Sequence, residues 1–150
     1  MSTAVAECVF RFDAGVTSIQ SHPNIEHLIA VGNYDCTVQL FDTRKLSTPL
    51  AQADVGGGAW RVKWHPSPAR KCDLLVAAMH DGFKIVSFRD VGDKSCHDSN
   101  GSNGNWEVQK RYNGHASLAY GVDWSYQSSE GQTLVASASF YDHALHLWRG

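Results

Sequence analysis

The sequence predicts an all-β chain: about three four-stranded blades of an incomplete propeller ring. Three observations carry this. Segments 16–42, 59–88 and 119–148 repeat one pattern of strand signals. Their starts lie 43 and then 60 residues apart, and strand patterning with a period of about 40 residues is the mark of propeller blades. No helical period of any length interrupts them.

Taken in order, Cys8 to Asp13 reads as the outer strand of a preceding blade. The first strand of each repeat alternates, with Ile19, Val62 and Val122 at one equivalent position and Thr17, Trp60 and Tyr120 two residues earlier, as a half-buried strand requires. His22-Pro23 and His65-Pro66 end that strand in two repeats, because proline donates nothing to a continuing ladder. The second strand is an apolar run at Leu28 to Val31, Leu74 to Ala78 and Leu134 to Ala138. The third alternates as Val38 and Leu40, Phe83 and Ile85, and Leu145 and Leu147, each followed by a bulky residue: Phe41, Val86 or Trp148. Outer fourth strands are predicted at Pro49 to Asp54 and Trp106 to Tyr112. The blades then span about 16–54, 59–112 and 119–150, and the Gly/Ser/Asn-rich stretch 90–105 is a flexible insertion in the second.

Three blades do not close a ring, for which four is the usual minimum. The chain stops after the third strand of its last blade, as in a propeller whose final strand comes from the chain's beginning. It is therefore expected to be incomplete, a truncated or short form whose missing blades or self-association would cover its flanks. In the alternative, Cys8 to Asp13 supplies the fourth strand of the last blade within this chain.

With 43% apolar residues and 13 glycines in 150 residues, the composition is that of a soluble globular chain. A formal net charge of −2 without a basic run removes the electrostatic term that holds proteins to phosphate backbones, so no nucleic-acid partner is expected. The longest apolar run, Leu74 to Met79, is far short of the roughly 18 residues of a spanning helix. No membrane partner is expected. The N-terminus carries no visible secretory signal, and Cys8, Cys36, Cys72 and Cys96 form no CxxC pair, which points to reduced thiols and a cytoplasmic setting.

Gly114-His115 lies 33 residues before Trp148, and Asp142 six before it, a spacing similar to the Gly-His to Trp-Asp unit of WD repeats. The matching hydrogen-bonded set is His115, Ser137, Asp142 and Trp148, a structural network rather than a catalytic triad. In the first repeat Asp35 stands six residues before Phe41. In the second, His80 stands six before Val86, where the pattern expects aspartate, and Gly56-Gly57-Gly58 replaces the Gly-His. A residue that breaks a local structural rule is a functional candidate.

The wording of the repeats goes further. GGGAWRVKWHP (56–66), LLVAAMHDGFKI (74–85), AYGVDWS (119–125) and SFYDHALHLW (139–148) resemble the C-terminal blades of the WD-repeat diphthine methylesterases of diphthamide biosynthesis, and VFRFDAGVTSIQSHP resembles them more weakly. The resemblance implies a carboxylic ester hydrolase that needs no cofactor. Its partner would be translation elongation factor 2 carrying methylated diphthine, a modified histidine whose methyl ester is cleaved to methanol and a free carboxylate.

The residues present limit how that chemistry is done. There is no GxSxG nucleophile elbow and no HExxH. His143 and His146, three apart on an extended strand, would face opposite ways, so no metal site is expected. His80 or His143 is the candidate general base on water, with Asp81 as orienting partner. The implied substrate carries a quaternary ammonium, and Trp60, Tyr120 and Tyr141 are the candidate aromatic cage. Trp64 and Trp124 are expected to pack between blades, and Lys63 and Lys84 to be solvated surface charges. The competing reading is a non-catalytic WD scaffold whose upper face binds a protein.

Overall fold

A computed structural model describes residues 9–89, 91, 105–127 and 131–150. Three antiparallel sheets follow one another along the chain. The first holds β1 (Val16–Ser21), β2 (Leu28–Asn33), β3 (Thr37–Asp42) and β4 (Ala51–Asp54), each paired with its chain neighbour. The second repeats this with β5 (Arg61–Trp64), β6 (Asp73–Ala77), β7 (Phe83–Phe88) and β8 (Trp106–Tyr112). The third has three strands, β9 (Ala119–Trp124), β10 (Leu134–Ser139) and β11 (Leu145–Arg149). One 3₁₀ turn, Pro68–Arg70, is capped by the Ser67 side chain.

Strand pairing places the repeats in common register. Ile19, Val62 and Val122 face Val31, Val76 and Ser137, which in turn face Gln39, Lys84 and His146. The first strands line up side by side, β1 against β5 and β5 against β9, so the sheets share an inner rim. Side chains of β1 sew that rim. Thr17 Oγ1 donates to the Ala59 carbonyl, and the Val62 amide donates to Ser18 Oγ at 3.2 Å.

Each junction between blades is an apolar core. Val38, Leu40, Val62, Leu74, Val86 and Phe88 fill the first; Leu75, Phe83, Ile85, Val122, Val135 and Trp148 fill the second. The middle strand β6 is buried on both faces, which is why it reads as a continuous apolar run rather than an alternating one. The outer blades lack a neighbour on one side. Ile19 is therefore 62% exposed although its equivalent Val62 is 1%.

The histidines of the His-Pro turns do more than end strands. His22 Nδ1 accepts the Asn24 and Ile25 amides at 3.0 and 2.9 Å, and its Nε2–H donates to the Lys71 carbonyl of the next blade at 2.7 Å. His65 repeats this one blade on, with the Ser67 amide on Nδ1 at 3.0 Å and Thr133 Oγ1 at 2.7 Å from Nε2. Each ring lies 4.6 Å from the tryptophan closing the next first strand, Trp64 or Trp124. Both tryptophans are buried between blades as the alternation predicts, and Trp124 Nε1 donates to the Lys63 carbonyl at 2.9 Å.

These histidines make stability pH-dependent. Burial pushes His22 and His65 below the ordinary value, with Arg70 adding to the effect at His65 and Asp73 opposing it. A depressed folded value means the unfolded chain binds more protons below about 6.5. Stability is then full above that pH and falls as pH drops through it. The urea midpoint should be lower at pH 5.5 than at pH 7.5, and the difference should shrink in His22→Gln; a midpoint that is level or rises toward acid contradicts the assignment.

Two expectations about the ends change. Residues 9–13 form no strand, and Phe10 and Phe12 set their rings 5.7 Å from Phe41 of the first sheet. The N-terminal segment, where described, therefore does not complete the third sheet. The first outer strand is Ala51–Asp54, shorter than expected. Cys36 is a free thiol. Cys8, Cys96 and nearly all of the insertion 90–105 lie outside the described residues. No helix among the described residues is long and apolar enough to cross a membrane.

On the outer face of the third blade Leu145 and Leu147 are 69% and 61% exposed, and contiguous apolar surface drives association. The chain in isolation should sediment as oligomers, and Leu145→Lys with Leu147→Lys should shift it toward monomer. A monodisperse wild-type monomer would show that this face needs no cover.

Candidate active site on the blade rim

The set His115, Ser137, Asp142 and Trp148 is a closed structural network. Ser137 Oγ, in a residue 1% exposed, lies 2.9 Å from His115 Nε2 and accepts Trp148 Nε1–H at 3.1 Å. Asp142 takes the Ser139 hydroxyl and the Ala144 and Ala116 amides, and lies 3.6 Å from His115 Nδ1. Two members escaped sequence reading. Tyr112 stacks on Trp148 at 4.8 Å and bonds His146 Nδ1 at 2.8 Å, and His146 stacks on His115 at 3.9 Å. His146 thus belongs to the junction with the second blade, while His143 sits in an exposed turn.

The turns between second and third strands share one geometry. Each has an aspartate followed by a residue of positive φ: Asp35 before Cys36 (72°), Asp81 before Gly82 (73°) and Asp142 before His143 (53°). Asp81, not His80, therefore fills the aspartate place of the second blade, which corrects the expectation from sequence. The physical reason is a shorter run from the turn aspartate into the third strand. Asp81 stands three positions before Lys84, whereas Asp35 and Asp142 stand four before the equivalent Gln39 and His146, so counting back from the strand end slips by one. His80 falls instead in the row of Tyr34 and Tyr141, each just before its turn aspartate.

Lys84 is a second correction. It is 1% exposed rather than solvated, and its Nζ donates to the Asp81 carboxylate and the Val55 carbonyl. Arg111 Nη1 adds a contact to Asp81 at 3.5 Å. Burial works against the Asp81 carboxylate, but Lys84 and then Arg111 outweigh it and hold it below the usual range. Asp81 thus spends its charge on these cations and makes no bond to the His80 ring. The triple glycine explains how the turn closes. Gly56 has φ of 79°, and a side chain there would meet the Asp81 carboxylate, while one at Gly57 would meet the Ala78 carbonyl.

The three cage candidates do come together. Trp60 is pinned by its amide to the Ala77 carbonyl at 2.9 Å, and its ring meets Tyr120 edge-on at 5.3 Å. Tyr120 lies 6.5 Å from Tyr141, which touches Phe140 at 5.2 Å. Burial raises the Tyr120 phenol, with Tyr141 and Tyr34 adding to the shift. Trp60, Tyr34 and Tyr141 are 38%, 58% and 65% exposed, so the cluster presents open ring surface. The Ala119 amide donates to the Met79 carbonyl at 2.8 Å, which sets the His80 turn beside the start of Tyr120's strand.

His80 is exposed and borders a cleft of about 90 Å³ lined also by Gly82, Tyr112, Asn113 and Ser117. Neither His80 nor His143 hydrogen-bonds through its ring among the described residues. A larger hollow of about 400 Å³ lies at the opposite edge, beside Arg70 and Thr133. Arg70 there is committed to Asp73 at 2.7 Å and the Gly150 carbonyl at 2.9 Å. The rim thus exposes aromatic ring surface at Tyr34, Trp60 and Tyr141 and, in the turn next to the start of β9, the imidazole of His80.

Comparison with known proteins agrees with this architecture. The WD domain, G-beta repeat model matches residues 6–42. The chain is 41% identical over 143 residues to the diphthine methyltransferase homolog of Dictyostelium discoideum, covering 92% of this chain and 36% of that protein. It is 41% identical over 130 residues to the human diphthine methyltransferase, covering 87% of this chain and 26% of that one. The chain thus spans well under half the length of these relatives. A chain in the crystal structure of a mitotic checkpoint complex superimposes with a TM-score of 0.68 at 16% identity, over 92% of this chain and 37% of that one, a likeness of fold.

Proposed function

We propose that this chain, a WD-repeat relative of the diphthine methyltransferases, supplies the catalytic rim of a diphthine methyl ester hydrolase acting in diphthamide biosynthesis. The substrate in this reading is the methylated diphthine of translation elongation factor 2, met in the cytoplasm. The observation that carries this reading is the run of ring contacts from Trp60 to Tyr120 to Tyr141, with the turn that presents His80 bonded to the start of the strand that holds Tyr120.

The trimethylammonium group rests against Trp60, Tyr120 and Tyr141, whose faces attract a desolvated cation by about 1 to 2 kcal/mol. In this reading the ester reaches toward the His80 turn, which the bond from the Ala119 amide to the Met79 carbonyl sets beside the start of β9. The neutral imidazole takes a proton from water as its oxygen attacks the ester carbonyl. The tetrahedral adduct then expels methoxide, which takes the proton from the imidazolium and leaves as methanol. Water and ester become carboxylate, methanol and one proton. Asp81 acts by holding the turn, its charge tied to Lys84. His143, on the next blade's turn, is the alternative base, and loss of turnover in His143→Ala but not in His80→Ala would move the role there.

The cage is tested apart from the chemistry. Trp60→Ala should weaken binding of a trimethylammonium peptide about 5- to 30-fold, as loss of about 1 to 2 kcal/mol requires. Unchanged affinity would remove Trp60 from the site. The exposed rim also suits a non-catalytic docking surface. That reading predicts binding of the elongation factor with no release of methanol.

A further inference from the structure

Lys84 is charged, 1% exposed, and unused by the mechanism above. A buried ion pair seldom stabilises a fold more than apolar residues of the same volume would, and geometric specificity is its better-attested use. The two acceptors of Lys84 belong to different loops. One is the carboxylate of Asp81, in the turn that presents His80; the other is the carbonyl of Val55, in the connection between the first two blades that ends at Trp60. At Gly56 any side chain would stand 3.1 Å from Lys84 Nζ as well as against Asp81, so this connection lies directly on the pair. In the same register the first blade carries Gln39, whose bonds, from Asn33 Nδ2 at 3.3 Å and to Gln52 Oε1 at 2.8 Å, stay within its own sheet.

We infer that Lys84 is a positioning residue: its ammonium ties the His80 turn to the Trp60 connection and so fixes the spacing between the proton-transfer group and the cation cage. The inference rests on the reading that His80 and Trp60 serve one substrate, but its test does not. Backbone amide exchange is followed in the chain and in Lys84→Met, in Lys84→Met with Asp81→Asn, and in Lys84→Arg. The double variant removes both charges, so it keeps the question answerable if the single variant leaves Asp81 unpaired and fails to fold.

In the folded double variant, protection should fall tenfold or more both at 79–82 and at 56–60, while β6 and β7 keep wild-type exchange. Lys84→Arg, which restores a donor to both acceptors, should recover much of it in both segments. Loosening of 79–82 alone would make Lys84 only the counterion of its own turn and overturn the inference. So would unchanged exchange in both segments, or uniform loosening of β6 and β7. Absence of methanol release from the wild type would count against the proposed function and leave the exchange result standing by itself.

Discussion

Replacing His80 by alanine should lower methanol release ~100- to 10,000-fold in protein containing this segment, the range over which a positioned general base contributes. The fold should be indifferent. The side chain is exposed and bonds nothing among the described residues, and the positive φ that shapes the turn belongs to Gly82. Circular dichroism and the urea midpoint should match the wild type, and affinity for a trimethylammonium peptide should change little. His80→Gln, which keeps size and hydrogen bonding but cannot titrate, should be as inactive as alanine. Normal turnover in either variant would remove His80 from the mechanism.

Ser137→Ala should do the reverse: a large loss of stability with turnover per folded molecule preserved. The hydroxyl serves both His115 Nε2 and Trp148 Nε1 in a site sealed by the Tyr112 and His146 rings. Alanine leaves two buried groups unpaired at about 1 to 3 kcal/mol each, so unfolding free energy should drop by about 2 to 6 kcal/mol. The contrast matters because His115, Ser137 and Asp142 are the residue types of a hydrolytic triad. An esterase using Ser137 as nucleophile would lose its activity here while staying folded.

The strands were legible because their signals are local. Period-two alternation, apolar runs and the prolines after His22 and His65 place all eleven strands within two residues at either end, whereas the strand expected at Cys8 to Asp13 does not form over 9–13. Burial was less legible at the flanks, since Ile19 and Val62 look alike in sequence and differ only in having a neighbouring blade. The nearness of Trp60, Tyr120 and Tyr141 was readable because Trp60 and Tyr120 share one repeat position at the start of their first strands and Tyr141 sits in the turn at the same end of the third blade.

The corrections have two causes, a local length change and pairings between distant segments. Counting from Val86 puts His80 in the aspartate place because the run from Asp81 into the third strand is one residue shorter than in the other blades. The signal was present, however, in the triplets YDC, HDG and YDH, which align the three turns without counting. Lys84 was taken for a solvated charge because its partners Val55 and Asp81 come from two loops. A lysine flanked by Phe83 and Ile85, with an aspartate three residues before it, was the available warning. His22 and His65 as ties between blades had no local signal, since Lys71 and Thr133 lie in the following blade.

The most direct test of the account is hydrolysis in ¹⁸O-labelled water of elongation factor 2 bearing methylated diphthine. Under the proposed mechanism water activated by His80 would attack the carbonyl carbon, so the label should enter the diphthine carboxylate while the methanol stays unlabelled. Label in the methanol, meaning that the methyl carbon is attacked, or no methanol from an intact ring containing this segment, would contradict it.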